Sequence, residues 1–195
     1  MILEVILTAL LLGWALKGRF GRLADAHINY AWMIFVPLGL AVTSGMLNGY
    51  GAVALSSPLF GAMHILGLST WIVFAAANMA IPGAKLILAG LVVNLIAVAA
   101  NGGTMPVSYD SIIVTYGEQG AKHWMAVFPQ VKDMLISHAT KLRFLCDVVP
   151  MPRPFSMGCV YSIGDVITSV GGFIAIIALM RAPSRSERKA ARGAV

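Results

Sequence analysis

The feature that most constrains this chain is a series of long apolar runs, of which "LILAGLVVNLIAVAA" at 86–100 is the clearest. A helix of about 20 apolar residues is long enough to cross a hydrocarbon core of about 30 Å. The chain is 58% hydrophobic and only 11% charged, whereas soluble domains contain about 25% charged residues. In water, a chain of this composition would expose large apolar patches. The sequence therefore predicts a helical integral membrane protein that crosses the bilayer several times.

The apolar runs predict five transmembrane helices. Their expected positions are about 2–16, 30–47, 58–77, 84–100 and 162–180, with a long and partly helical external loop over 101–161. We expect an all-α membrane protein with one transmembrane domain over 1–180 and a basic tail over 181–195. The first charged residue of the first run is Glu4, and its positive charges follow the apolar stretch. A secretory signal instead carries its positive charge before the apolar stretch. The first run is therefore interpreted as a retained helix.

Basic residues predict the orientation of the spans, because cytoplasmic loops are enriched in Lys and Arg. The second short loop has no basic residue, whereas the first loop and the tail hold Lys17, Arg19, Arg22, Arg181, Arg185, Arg188, Lys189 and Arg192. We expect the N-terminus outside a bacterial cytoplasmic membrane, the C-terminus in the cytoplasm and the long loop outside. The net charge of +6 lies beside apolar spans, where it favours contact with anionic lipids. No recognition motif accompanies it, so nucleic acid is not an expected partner.

The external loop contains apolar residues at roughly helical spacing. They predict one or two short amphipathic helices that lie on the membrane or cap the bundle; the residues are Val127, Val131, Met134, Leu135, Leu142 and Leu145. "DVVPMPRPFSMG" at 147–158 has three prolines at alternate positions, which predicts an extended, helix-free strip. The "SIGD" that follows predicts a helix start capped by Ser162 and Asp165.

Most polar side chains of the predicted spans fall in the outer half of the membrane. At a helical rise of about 1.5 Å per residue, His64 lies about 9 Å and Asn94 about 10 Å inside the outer face. Ionisable groups in membrane segments usually face the bundle interior or a wet cavity, and they indicate function. The structural alternative is that such groups hydrogen-bond to neighbouring helices, at about 0.6 kcal/mol each, or only cap a helix. The candidate polar site comprises Asn101, His138, Asp147, Asp165, Asn94 and His64.

Small residues predict two close approaches of the backbone. Gly164, Thr168 and Gly172 form a stripe at four-residue spacing, which favours packing against another helix. Gly102 and Gly103 predict a tight helix exit, because glycine adopts positive φ at low cost. The alternative is that their backbone amides bind a lipid headgroup or another anion. The residues predicted for such a lipid or anion contact are Gly102, Gly103, Lys141 and Arg143.

The two cysteines, Cys146 and Cys159, flank the proline-rich strip. A disulfide between them is one interpretation for an oxidising compartment, and closing a loop of that size contributes about 3 kcal/mol. Their spacing is not a metal signature, and His138 nearby does not complete one. Asp147 and Asp165 hold a divalent cation in an alternative interpretation, but the sequence carries no motif for a metal or other cofactor. Common catalytic motifs such as H-E-x-x-H and Walker A are absent from the sequence, which leaves open whether the protein is an enzyme.

Four motifs spread along the chain carry a family resemblance. "ANGGTMPVS" at 100–108 contains Asn-Gly-Gly-x-Met-Pro, "TKLRFLCDVVPMPRP" at 140–154 contains Asp-x-x-Pro, and "YSIGDV" at 161–166 contains Ser-x-Gly-Asp. With the opening "ALKGRFGRLAD" at 15–25, they resemble an uncharacterised bacterial integral-membrane family, a domain of unknown function. The chain departs from the pattern of that family at Arg143 and Cys146. The resemblance covers nearly the whole chain and implies a fold and a site, but no established activity.

Three functions fit these features, and the first is favoured. It is an accessory or structural subunit of a larger membrane complex, indicated by the small size, the missing catalytic motifs and the small-residue helix faces. The second is an enzyme or binder that acts on a lipid headgroup or isoprenoid phosphate at the outer interface. The third, a transporter, is disfavoured because the five short spans include no pair of broken helices. The expected partners are the lipid bilayer, a membrane-protein partner or a second copy of the chain, and a lipid ligand.

Overall fold

The computed structural model describes residues 2–49, 57–127, 134–153 and 158–183. In these ranges the chain is mostly helical, as predicted, with one short antiparallel hairpin. The helices are α1 (Ile2–Ala15), α2 (Phe20–Ala24), α3 (Phe35–Gly49), α4 (Pro58–Ala77), α5 (Ala84–Ala100), α6 (Tyr109–Val127) and α7 (Ile163–Arg181), and the strands are β1 (Val149–Met151) and β2 (Cys159–Tyr161). A 3-10 turn over Ala31–Ile34 leads into α3.

Each of the five predicted spans coincides with a helix, namely α1, α3, α4, α5 or α7. Within the described ranges, three helical segments are long and apolar enough to cross a membrane: Ala31–Asn48, Pro58–Ala77 and Ile163–Arg181. Leu3–Ala15 and Ala84–Ala100 are apolar but shorter. Large apolar side chains such as Leu11, Phe35 and Leu66 are exposed on these helices. This pattern indicates a helical membrane protein.

The helices are arranged in the spatial order α3, α4, α5, α7, α1, judged by their extensive contacts. Helix α7, the last of the described helices, therefore lies between α1 and α5. The contact between α5 and α7 is so close that a methyl group on Gly90 would collide with the carbonyl oxygen of Gly164 and the side chain of Thr168. Small residues thus allow this approach, as the sequence predicts.

The small-residue stripe on α7 differs from the prediction at its third member. A methyl group at Gly171 would approach the carbonyl oxygen of Gly83 to 2.7 Å, whereas nothing lies within 4 Å of one at Gly172. Two turns of an α-helix take about 7.2 residues, so the residue seven positions after Gly164 stays on the same face. The stripe is therefore Gly164, Thr168 and Gly171.

Helix α5 ends in the tight exit that the two glycines predict. Gly102 has φ 70° and Gly103 has φ 92°, and the amide of Gly103 donates to the carbonyl of Val98 over 2.8 Å. This is the longer hydrogen bond of a Schellman motif, in which glycine usually follows the helix. The exit packs against Gly61 of α4: a methyl group on Gly61 would collide with the carbonyl of Gly102, and one on Gly103 would collide with the backbone of Gly61.

The segment between α5 and α7, which we call the cap (101–161 in its described parts), has a small core of its own. Val107, Ile112 and Ala121 are buried there, with Tyr116 and Trp124 packed against them. Helix α6 is broken at Gly117, whose φ of 74° and ψ of 165° are not helical. Beyond α6 the described chain forms isolated bridges and turns: Val107 pairs with both Leu135 and Asp147.

The predicted amphipathic helix is therefore present, but not where the spacing of apolar residues placed it. It covers Tyr109–Val127, whereas Met134, Leu135, Leu142 and Leu145 lie in bridges, turns and a short 3-10 segment. Leu142 has φ 48°, which no α-helix contains. Backbone pairing with Val107 competes with helix formation in this part of the cap.

The extended strip is confirmed for its described residues, since Val149–Met151 pairs with Cys159–Tyr161 as an antiparallel hairpin. Several predictions lie outside the described residues: Val131 of the amphipathic pattern, Pro154 of the strip, most of the second short loop, and the basic tail from residue 184 onward.

Replacing Gly90 by alanine should destabilise the protein by about 1–3 kcal/mol, because the added methyl group overpacks the contact between α5 and α7. Gly172→Ala on α7 is the matched control, since its added methyl group meets open space and alanine is the better helix former. Thermal unfolding in detergent measures both variants. Equal stability of the two would show that the close approach is not required.

Candidate functional site

Helix α7 starts with a capping box. The hydroxyl of Ser162 accepts a hydrogen bond from the amide of Asp165 over 2.9 Å, and Oδ2 of Asp165 accepts one from the amide of Ser162 over 3.1 Å. Each side chain thus satisfies a backbone N–H that the helix leaves without a partner. The predicted start of this helix, capped by Ser162 and Asp165, is confirmed.

Asn94 of α5 hydrogen-bonds to this capping box from the neighbouring helix. Its Nδ2 donates to Oδ1 of Asp165 over 2.8 Å, and its Oδ1 accepts from the hydroxyl of Ser162 over 2.8 Å. Asn94 and Ser162 are buried. Gly90, where the two helices approach closely, lies one turn before Asn94 on α5. The side-chain amide of Asn94 therefore lies within hydrogen-bonding distance of Ser162 and Asp165. The two helices are thus joined by a closed polar network.

His64 brings helix α4 to the same region. Its Nδ1 hydrogen-bonds with the carbonyl oxygen of Gly103 at 3.0 Å, and its ring packs edge-on against Phe60 with centroids 6.3 Å apart. The ring also lies within electrostatic range of the Asp165 carboxylate. We call His64, Asn94, Asp147, Ser162 and Asp165 the outer cluster, after the position that the sequence predicts for this end of the bundle.

Asp147 joins the outer cluster from the cap. Its amide donates to the carbonyl of Pro106 over 3.0 Å, and its carbonyl accepts from the amide of Ser108 over 2.9 Å, so the backbone is fixed on both sides. Burial, followed by the negative charge of Asp165, raises the pKa of the Asp147 carboxyl group to about 8. Among the described residues, none donates a hydrogen bond to this carboxyl group. The backbone of Asp147 is thus fixed by hydrogen bonds on both sides, whereas its carboxyl group has no hydrogen-bond donor among the described residues.

Asn101 lies beside the outer cluster and has a different role. Its Nδ2 donates to the carbonyls of Ala97 and Lys141, and its Oδ1 accepts from the amide of Lys141 over 2.9 Å. Both ends of the amide therefore fasten the cap to the end of α5. His138 is exposed in a turn of the cap, and no contact with the outer cluster is observed for it among the described residues.

The predicted lipid or anion contact remains a prediction. Lys141 and Arg143 are exposed, while the amide and the carbonyl of Gly103 already serve Val98 and His64. Gly103 therefore has a structural role, and the prediction of such a ligand rests on Gly102 and the two basic side chains.

Both cysteines are free thiols in the structure, so the disulfide considered from the sequence is not formed. Cys146 is buried, and its thiol donates to the carbonyl of Leu142 over 3.6 Å. Burial, and secondarily the charge of Asp147, raises the pKa of this thiol. Cys159, the first residue of β2, is exposed and lies beside Tyr116 of α6. In the described ranges, His, Cys, Asp and Glu do not gather in threes to hold a metal ion.

An apolar groove runs between α3 and α4 and has a volume of about 460 Å³. Gly67 and Pro37 close one part of it, with a methyl group on the glycine meeting the proline at 3.7 Å. His64 is at once a lining residue of this groove and a member of the outer cluster. The groove and the polar groups therefore meet at one side chain.

A second cavity, of about 190 Å³, lies inside the cap. Asp147 and Cys159 line it together with Tyr116 and Trp124, whose rings stack at 17° with centroids 6.0 Å apart. We call this space the cap cavity. Neither aromatic residue is among the site residues predicted from the sequence. The signal that could have identified them is the presence of Trp and Tyr, which combine an apolar ring with a polar group, in a loop between apolar spans.

The fold and the outer cluster define a small helical membrane protein with a polar site at one end of its bundle. A family model described as "Family of unknown function (DUF5317)" matches residues 25–177, and the chain belongs to this family. The resemblance to an uncharacterised family is thereby confirmed, although the opening motif lies before the match except for Asp25. No curated protein and no solved structure matches the chain.

Replacing Ser162 by alanine should lower stability by about 1–3 kcal/mol, because it removes the helix cap and leaves Oδ1 of the buried Asn94 without its donor. Thr8→Ala is a suitable control, since the Thr8 hydroxyl bonds only to the carbonyl of Glu4 in its own helix. Chemical or thermal unfolding in detergent gives the comparison. A loss no larger than that of Thr8→Ala would contradict the role of the network.

The stability of the protein should depend on pH through Asp147. Its folded-state pKa of about 8 lies above the ordinary value of 3.8, so the folded state binds more protons than the unfolded state between these values. The contribution of Asp147 to the free energy of unfolding is therefore fully present below the ordinary pKa of 3.8, and it is lost as the pH rises through the folded-state pKa of about 8. Asp147→Asn should remove this dependence and be the more stable form at high pH, whereas exposed Asp110→Asn should retain it. Melting temperatures across this pH range measure the effect.

Proposed function

We propose that the protein is a bacterial cytoplasmic membrane protein with five spans whose outer end binds an amphiphilic lipid. The basic residues of the first loop and the tail support an outer position for the cap. The two shorter apolar helices pack against α7 and α4, so they belong to the same bundle as the three longer ones. A short helix can still span when the bilayer thins or flanking residues reach the interface.

The observation that carries this proposal is the shared position of His64. Its ring lines the apolar groove between α3 and α4, and the same ring contacts Gly103 and lies in range of Asp165. A ligand with an apolar chain and a polar head needs these two environments side by side. The groove is lined mostly by Leu, Met, Phe, Ala and Gly side chains, which suits a hydrocarbon chain.

The outer cluster suits a headgroup that donates hydrogen bonds better than a bare phosphate. Asp147 and Asp165 are both acidic and repel one another, and an anion placed beside them meets the same repulsion. An isoprenoid phosphate therefore fits only if a cation accompanies it or if it contacts the exposed Lys141 and Arg143 instead. Headgroups that carry hydroxyl or amino groups fit without such help.

An accessory subunit is the second candidate, and one observation favours it. Both carboxylate oxygens of Asp165 are occupied by Asn94 and Ser162, which is the arrangement expected of a lock between helices. On this alternative, the exposed apolar faces of the bundle contact another membrane protein or a second copy of the chain. The same lock also means that Asp165→Asn changes folding and ligand binding together, so that variant does not separate the two functions.

Two glycines on α3 give a cleaner test. A methyl group added at Gly45 or Gly39 meets no atom within 4 Å, but only Gly45 lines the groove. Gly45→Leu should therefore fill the groove and lower the amount of co-purified lipid by about tenfold, a loss of about 1.4 kcal/mol in binding. Gly39→Leu should leave the lipid unchanged. Native mass spectrometry of protein purified gently from its host measures lipid and protein partners in one experiment.

The outcomes separate the candidates. Lipid that is retained by Gly39→Leu and lost by Gly45→Leu supports the groove as the binding site. A stoichiometric protein partner without bound lipid supports the accessory subunit. Equal lipid retention by both variants would overturn the proposed lipid site.

A further inference from the structure

We propose that the cap cavity binds an organic ammonium group, with the Asp147 carboxylate as its counter-ion and the rings of Tyr116 and Trp124 as its aromatic wall. The cavity is distinct from the groove between α3 and α4, so this inference stands or falls separately from the proposed lipid site. The ammonium group belongs either to a small soluble amine or to the headgroup of an aminophospholipid.

The geometry of the cavity matches the chemistry of a cation. A volume of about 190 Å³ accommodates a small group rather than a whole lipid. Tyr116 and Trp124 stack with their centroids 6.0 Å apart and both line the cavity. Cations are attracted to the faces of Trp and Tyr rings within about 6 Å of the centroid. The hydroxyl of Tyr116 donates to the carbonyl of Gly158 over 2.7 Å, which fixes the ring toward β2.

The charge balance of the cavity also favours a cation. Asp147 is the acidic residue of an otherwise largely apolar lining, and its nearest acidic neighbour, Asp165, repels it. In residues 2–49, 57–127, 134–153 and 158–183, no basic side chain forms an ion pair with Asp147. A partly buried carboxylate without a counter-ion is costly, and an ammonium group that donates to it offsets that cost. An anion would instead be repelled by the neighbouring Asp165 and would keep Asp147 protonated.

Binding should be linked to a proton at Asp147. The raised pKa of this group means that it is largely protonated at neutral pH, so an ammonium ligand binds as the carboxyl proton leaves to solvent. The other titratable groups facing it are Asp165 of α7, Cys146 beside it, Cys159 of β2 and Tyr116 of α6, with Arg153 acting on Tyr116. Below about pH 8 the apparent affinity should weaken by about tenfold per pH unit.

The experiment uses the full chain in nanodiscs of phosphatidylglycerol, titrated with propylammonium chloride or with n-propanol, its neutral counterpart of equal size. Binding is followed by tryptophan fluorescence, with Trp124→Phe identifying the signal of the cavity, and by the infrared absorption of the protonated carboxyl group. We expect saturable binding of propylammonium with loss of that absorption, and no saturable binding of n-propanol.

Variants test the named contacts. Asp147→Asn should weaken propylammonium binding by at least about tenfold and abolish its pH dependence, whereas Asp110→Asn on the exposed side of α6 should change neither. Tyr116→Phe keeps the ring and should bind, while Tyr116→Leu should bind several-fold more weakly. Melting temperatures show which variants are folded, and a folded Asp147→Asn that binds as tightly as the parent overturns the proposal.

A second arm distinguishes the two sources of the ammonium group. In nanodiscs containing phosphatidylethanolamine, competition with propylammonium identifies the lipid headgroup as an occupant, and unchanged propylammonium affinity identifies a soluble amine. Gly45→Leu should leave propylammonium binding intact, so failure of the groove and failure of the cap cavity are separate results. Equal binding of propylammonium and n-propanol would reduce the cavity to a nonspecific apolar space and exclude a cation site.

Discussion

The rest of the structure depends on the close contact between α5 and α7 at Gly90. The missing side chain lets the backbones approach until the carbonyl of Gly164 and the side chain of Thr168 fill the space. Only at this separation does Asn94 reach both Ser162 and Asp165. The network in turn fixes the start of α7 and, through the charge of Asp165, the environment of His64 and Asp147. A packing constraint within the bundle thus sets the electrostatics at the end that the cap covers.

The end of the bundle beside the cap combines a rigid frame with two spaces of different character. The exit of α5 is fixed by the Schellman motif and by Asn101, which holds the cap through Lys141. The groove between α3 and α4 is apolar and meets polar groups at His64, whereas the cap cavity is lined by aromatic rings and by Asp147. Asp165 acts electrostatically on both Asp147 and His64, so the two spaces share one acidic neighbour.

Local patterns made much of the fold predictable from the sequence. Apolar runs located five helices, and the pattern of Ser162 and Asp165 located the start of α7, because these signals lie within a few neighbouring residues. The helix of the cap was misplaced, since the pairing of Val107 with Leu135 and Asp147 joins distant segments. Predicted depth in the membrane makes His64, Asn94 and Asp165 site candidates, and a place in the loop beside the proline-rich strip makes Asp147 one. Their partners, and the stack of Tyr116 on Trp124, depend on tertiary contacts that spacing does not encode.

The spatial order of the helices has a consequence for how the protein is made. Among the described helices, α1 has its extensive contacts with α7, which also provides the main partner surface of α5. Chains are synthesised from the N-terminus, so α1 to α5 emerge before the helix that joins them. Until α7 inserts, the glycine face of α5 and the amide of Asn94 have no partner helix. The contacts between α5 and α7 can therefore form only after α7 has been synthesised, so the bundle closes late.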